Sequence, residues 1–176
     1  MSVKYIKDSD VDETLDSQLK ALLSQCFTKP EEARFKTQRY YNEMPKHRWF
    51  IEDIEQGILV AHLAIHEKIV IEGDTAYPIG GVAEVCVHPD YRGLGYVNQL
   101  VESAHKWMKQ QRFEFSMLFG SDEIYRSSGY VRVANVSLCP DYHQGSQQYT
   151  PISVMVAPLQ NQRWPETAII LPSIPF

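Results

Sequence analysis

The chain has 176 residues, enough for one domain with a sizeable core, and a formal charge of −5. That charge argues against a nucleic-acid groove, which needs clustered Lys and Arg, and is compatible with a cationic small-molecule partner. The longest apolar runs, such as residues 57–65, are too short to span a bilayer, and the charged opening MSVKYIKDSD does not read as a signal peptide. Cys26, Cys86 and Cys139 are odd in number, far apart and without metal-ligand spacing, so the expectation is a reduced, cytoplasmic protein with no metal.

Residues 3–6 read as an opening strand. Leu15, Leu19, Leu22, Leu23 and Cys26 then recur at helical spacing, and the pattern ends before Pro30. Residues 31–45 predict a second, weaker helix, acidic at its start and stopped by Pro45. Two strands follow, 47–53 and 57–71, separated by a turn at 55–57. In the second, Leu59, Ala61, Leu63, Ile65, Ile69 and Ile71 line one face, interrupted by Glu67. A hairpin at EGDT leads into strand 80–88.

Val97, Leu100, Val101, Ala104 and Met108 then mark an amphipathic helix. Residues 113–120 read as a buried strand, 121–129 as one or two helical turns, and 130–136 and 152–158 as strands. A loop-rich stretch fills 140–151, and the tail at 166–174 offers one more strand. With no repeat or linker to divide it, the chain reads as one α/β domain, 1–176. Its sheet is mixed, mainly antiparallel, of about seven strands, with helices on both faces.

The stretch HPDYRGLGYVNQL places Gly93 and Gly95 at the mouth of a helix, where a glycine costs about 1 kcal/mol against alanine. A helix N-terminus offers unpaired N–H groups and a positive dipole end, and glycine lets a bulky anion approach them. A Walker A loop fails because no Gly-Lys-Ser/Thr follows. A Rossmann fingerprint fails because Asn98 holds its third glycine position and HPDYR lengthens the turn. A third pattern, Arg/Gln-x-x-Gly-x-Gly/Ala, cradles the pyrophosphate of coenzyme A, and Arg92 and Gly95 match it. Here the chain resembles the GNAT superfamily of acetyl-CoA-dependent N-acetyltransferases. VCVHPDYRGLG is similar to its fourth strand and pyrophosphate loop, and YRSSGY to its later Tyr-x-x-x-Gly-aromatic segment. The order of elements also matches. Val97 departs from the family's glycine or alanine, as in the aminoglycoside 2′-N-acetyltransferases, whose closing strand the tail also resembles.

The resemblance implies acetyl-CoA as co-substrate and a small-molecule amine as acceptor, with a homodimer as an option. It places Arg92, Gly93, Leu94, Gly95, Tyr96 and Val97 on the pyrophosphate, the backbone of Val85, Cys86 and Val87 on the pantetheine, and Ser121 near the cofactor. Amide formation asks for three things. The acceptor amine must lose a proton, a handicap of roughly 4–5 kcal/mol for a lysine-like group at pH 7. Glu84 stands where the resemblance places an acidic residue, and alternation sets it on the face of Cys86 and His88. In an apolar strand its pKa should rise, which suits a base; the other reading is a glutamate paired to a cation. The forming oxyanion needs backbone N–H groups, on which side chains are silent. The departing thiolate needs a proton, and Tyr125 occupies the position of the family's tyrosine; the other reading is a helix tyrosine packed on the core.

Other patterns are weaker. His62 and His66 have zinc-helix spacing, but Leu63 replaces the glutamate of His-Glu-x-x-His and the segment reads as strand. Cys86 invites a covalent mechanism but reads better as a small hydrophobe. Ser121 and Asp122 are placed to cap the short helix. Tyr40, Tyr41, Trp49 and Phe50 could line an acceptor pocket or be core. A noncatalytic acyl-CoA-binding or regulatory domain, and an acyltransferase with a longer donor, share the same residues.

Overall fold

Asp12 starts the first helix. Its side chain accepts from the Leu15 N–H at 2.8 Å, satisfying one of the donors that every helix N-terminus leaves open. The helix α1 (Glu13–Cys26) buries Leu19, Leu22 and Leu23 and ends at the extended Phe27. It belongs to a computed structural model that describes all 176 residues, Met1–Phe176.

Eight strands form one sheet: β1 (Val3–Lys7), β2 (His47–Asp53), β3 (Ile58–Glu72), β4 (Thr75–Val87), β5 (Phe115–Leu118), β6 (Val131–Leu138), β7 (Thr150–Pro158) and β8 (Ile169–Leu171). Their order across it is β1-β2-β3-β4-β5-β7-β6-β8. The β4–β5 and β6–β8 pairs are parallel. The β1–β2, β2–β3, β3–β8, β5–β7 and β6–β7 pairs are antiparallel. The tail strand therefore forms and brings the count to eight. Two further helices complete the order, α2 (Tyr96–Gln110) and the short α3 (Asp122–Tyr125).

Contacts divide the chain into two compact units, residues 1–66 with 83–104, and residues 67–82 with 105–176. In the first unit, Leu19, Leu22 and Leu23 pack with Phe35, Phe50, Leu59 and Cys86. In the second, Val70, Ile79, Phe115, Met117, Val154 and Val156 pack with Ile169 and Leu171 of the tail strand.

Three expectations change. The weak helix over 31–45 shrinks to a 3₁₀ turn, Pro30–Lys36, with Phe35 its buried residue. The segment beyond it spends its polar groups on tertiary partners, Arg39 on Asp8 and Asp16 and the Tyr41 N–H on Glu84, so no helical ladder continues. β3 does not alternate: Leu59 through His66 are all buried, as in a strand covered on both faces, while Ile69 is half-buried and Val70 is inside. β4 starts five residues earlier than the sequence suggests, at Thr75.

Candidate active site

Gly93 and Gly95 answer the question their positions raise. Their φ angles are 78° and 76°, the left-handed region, and a β-carbon built at either would meet nothing within 4 Å. Space does not demand glycine here; backbone conformation does, since an alanine would be strained by roughly 1–2 kcal/mol. The turn carries the chain from the 3₁₀ turn Pro89–Tyr91 into α2, where the Gln99 N–H donates to the Gly95 carbonyl at 3.2 Å. Residues 92–95 are exposed and Tyr96 and Val97 half-buried. Asp90 lies in the preceding 3₁₀ turn. The result is an open glycine turn at the N-terminus of a 15-residue helix.

Glu84 adopts φ 54°, one of two non-glycine residues with positive φ. The expected alternation with Cys86 is thus interrupted at Glu84 itself. Such a kink costs about 1–3 kcal/mol and re-aims the neighbouring peptide groups. The side chain is 4% exposed. Its Oε1 accepts from the Tyr41 N–H at 2.9 Å and its Oε2 from Arg48 Nη1 at 3.3 Å. Arg48 is fully buried and divided among several partners: Nε on Asp8 at 2.5 Å, Nη1 also facing His62 Nε2 at 3.1 Å, and Nη2 on the Arg39 carbonyl at 2.8 Å. Arg39 in turn grips Asp8 and Asp16, each at 2.7 Å.

This sharing fixes the protonation states. Asp8 is pushed up by burial, but hydrogen bonds from Arg39 and Arg48 outweigh that and hold its carboxyl below the usual range. Glu84 receives only part of one cation. Burial wins over Arg48 and the Tyr41 N–H, and its pKa rises to about 7. His62 is neutral, driven to about 3 by burial and by Arg48. Since arginine can only donate, His62 Nε2 accepts, and Nδ1–H donates to the Glu84 carbonyl at 2.9 Å. Glu84 is therefore paired to a cation and at the same time raised to about 7.

Val85 and Val87 are half-buried, while Cys86 packs into the core with Leu19, Leu22 and Phe35. The Val87 carbonyl accepts from both Cys26 Sγ and Arg92 Nε, each at 3.4 Å. Trp49 and Phe50 are buried, 1% and 8% exposed, and Phe50 packs in the core cluster with Leu19, Leu22 and Leu23. Tyr41 is half-buried with Arg34 stacked over its ring at 4.2 Å. His62 and His66 sit on one extended strand, ~13 Å apart along it, and His66 faces Glu43 at 3.5 Å.

Ser121 and Tyr125 belong to the second unit. Ser121 stands at the N-cap of α3 without a side-chain cap bond, and Asp122 is occupied by Arg132 at 2.6 Å and Arg126 at 3.2 Å. The expected side-chain capping does not occur; ion pairs take the carboxylate instead. Tyr125 is 8% exposed, its ring edge-on to Tyr130 with centroids 5.9 Å apart. Gly120 makes room for it, since a β-carbon there would lie 2.5 Å from the Tyr125 ring. Behind it, the Tyr130 hydroxyl bonds Ser116 Oγ at 2.6 Å and His105 Nε2 at 2.9 Å.

Residues 2–133 match the family described as the acetyltransferase (GNAT) domain. The chain belongs to the GNAT family. Its fold is also similar to those of solved acyltransferases. Against the GNAT N-acetyltransferase YhbS of Escherichia coli, solved in complex with CoA, identity is 15% and the TM-score 0.67, over 97% of this chain and 90% of that one. Against an acyl-CoA N-acyltransferase from Pseudomonas aeruginosa the values are 15% and 0.60, over 89% and 98%. An Enterococcus faecalis protein described as a probable N-acyltransferase gives 18% and 0.56, over 77% of this chain and 36% of that longer one. At these identities the likeness is one of fold. No curated protein matches the chain. Sequence reasoning named the GNAT motifs but missed Asp8, Arg39 and Arg48, for which an arginine directly before the apolar Trp49, Phe50 and Ile51 was the available signal.

Proposed function

We propose that the chain, as a single GNAT domain, transfers the acetyl group of acetyl-CoA to a primary amine by direct attack in a ternary complex. The observation that carries this is the left-handed, unobstructed turn of Gly93 and Gly95 at the start of α2. Its main-chain N–H groups and Arg92 would hold the pyrophosphate, with Leu94, Tyr96 and Val97 along the same turn. Val85, Cys86 and Val87 would hold the pantetheine through their backbone, with Ser121 near the cofactor. The E. coli relative solved with CoA supports an acyl-CoA co-substrate. Bound acetyl-CoA supplies an activated thioester. Glu84 would accept the amine proton, directly or through water, and a carboxylate poised near 7 suits that task. Tyr125 would return a proton to the departing sulfur.

The acceptor is proposed by chemistry alone: a cationic amine, in keeping with the charge of −5. The narrower likeness to aminoglycoside 2′-N-acetyltransferases rests on Val97 and the tail strand and finds no counterpart in the comparisons. Three free cysteines favour a reduced, cytoplasmic setting. No helix is long and apolar enough to cross a membrane.

Calorimetric titration with acetyl-CoA, joined to a thiol-release assay over an amine panel, tests the proposal. Binding with turnover supports it. Binding without turnover makes the chain a noncatalytic acyl-CoA module, and binding of longer acyl donors in preference changes the substrate. Tyr125→Phe should lower turnover by tenfold or more, out of a usual ~10²–10⁴ for acid–base groups, with little change in cofactor affinity. Gly95→Val should weaken acetyl-CoA binding, and an unchanged affinity would remove the cradle.

A further inference from the structure

Two of the three cysteines, sixty residues apart in sequence, meet in the first unit. Cys26 is the last residue of α1 and half-buried; Cys86 lies in β4 and is 7% exposed. Cys26 packs against the core cluster that holds Cys86, and its Sγ lies 3.4 Å from the carbonyl of the residue after Cys86, Val87. The Val87 carbonyl draws a third group to the spot, because it accepts from both Cys26 Sγ and Arg92 Nε. A guanidinium therefore stands beside a dithiol whose outer member solvent can reach.

We propose that Cys26 and Cys86 form a peroxide-sensitive dithiol whose oxidation to a disulfide weakens acyl-CoA binding. The chemistry divides by environment. The neighbouring Cys86 thiol and the charge of Arg92 hold the Cys26 thiol below its usual range against burial. The neighbouring Cys26 thiol and its own burial push Cys86 well up. Cys26 is thus the attacking sulfur and Cys86 the resolving one, the arrangement expected of a redox-sensing pair.

The step consumes one hydroperoxide. The Cys26 thiolate attacks the O–O bond; an S–O bond forms, the O–O bond breaks, and the leaving oxygen departs as water after taking a proton. The Cys86 sulfur then attacks the sulfenic acid. The S–S bond forms, the S–O bond breaks, and hydroxide leaves as water with the Cys86 proton. Two thiols lose two electrons and hydrogen peroxide becomes two waters. Cytosolic disulfides are usually transient and of this sensing kind.

The consequence for function rests on the reading of β4 and the glycine turn as the cofactor site. A disulfide would tie the end of α1 to the middle residue of Val85, Cys86 and Val87. It would also convert the thiol that shares the Val87 carbonyl with Arg92. Backbone that must present itself to pantetheine would be pinned to a helix on its other side.

The experiment uses the full chain with stoichiometric hydrogen peroxide. Intact mass and peptide mapping read the cross-link, and calorimetry reads acetyl-CoA affinity before and after. The expected result is a loss of two hydrogens, a bridge between the Cys26 and Cys86 peptides, and a fall in affinity of about tenfold that dithiothreitol reverses. Cys26→Ser should bind acetyl-CoA as the wild type does and keep that affinity after peroxide. Over-oxidation of Cys26 without a bridge, or a bridge with unchanged affinity, overturns the proposal. Failure of the reduced wild type to bind acetyl-CoA would strike the cofactor reading instead, while the mass measurement still reports on the dithiol.

Discussion

The two units each bury a polar chain behind a candidate catalytic side chain, and the chains differ in kind. Behind Glu84 the groups are formally charged: Asp8, Asp16, Arg39 and Arg48, with only His62 neutral. Behind Tyr125 the chain is neutral, running from Ser116 through Tyr130 to His105, whose pKa burial drives to about 4. In the first, Asp8 has both arginines and Asp16 has Arg39 and Lys20, while Glu84 has a share of Arg48 alone, so burial keeps Glu84 near its titration point. The second has nothing to titrate near pH 7, since burial also drives the Tyr130 phenol up. A proton can be taken up cheaply at one place, while the other keeps a fixed hydrogen-bond pattern across the same pH range.

The comparison breaks most directly at Arg48. Arg48→Leu would leave Asp8 without its buried cation and Glu84 with no cation at all. Removing one partner of a buried pair typically costs 3–5 kcal/mol, and about that loss is expected in urea unfolding. A loss under about 1 kcal/mol would mean that Arg39 alone compensates Asp8, and the account of Glu84 would have to change.

Tyr130→Phe makes the matching cut in the neutral chain. It strands Ser116 and His105 together, both buried or nearly so, at a cost of roughly 1–3 kcal/mol. The effect should be the same at pH 7 and pH 8, because neither partner changes charge there. A cost that varies across that interval would show that His105 is charged in the folded protein.

How much of this was legible from the residues differs between the two chains as well. The glycine turn could be read because Gly93 and Gly95 are local signals, needed for positive φ wherever the fold goes. Tyr125 and Tyr130 were found by a motif of short range. The Glu84 network was not found, because Asp8, Arg39, Arg48 and Glu84 lie up to 76 residues apart and pair only once β1, β2 and β4 are aligned. The helix expected at 31–45 failed for the same reason. Its polar residues look like an exposed helical face, yet Arg39 and the Tyr41 N–H are committed to Asp8 and Glu84. The alternation drawn through Glu84 failed because a left-handed non-glycine residue leaves no mark in sequence. The eighth strand could be proposed but not promised, since three residues of β8 depend on β3 and β6 for every ladder bond.

The finest test compares Glu84 across pH with the two histidines that burial drives down, His62 and His105. Glu84 has a folded pKa of about 7 against 4.5 unfolded, so between those values the folded state holds a proton that the unfolded chain releases. Its contribution is complete below about pH 4.5 and is lost as pH rises through 7, a slope of up to ~1.4 kcal/mol per pH unit. His62 and His105 have folded values of about 3 and 4 against 6.5, so their contributions are complete above 6.5 and are lost as pH falls towards those values. Wild-type stability between pH 5 and 7 is therefore the sum of opposed slopes. Glu84→Gln removes one of them, and its stability should rise with pH more steeply than that of the wild type, by about one proton's worth. In the enzyme assay the same variant should lose the limb of kcat/KM that climbs through pH 7. Parallel stability curves for the two proteins would mean that Arg48 and the Tyr41 N–H keep Glu84 ionised throughout, a carboxylate clamped in place and unable to take the amine's proton.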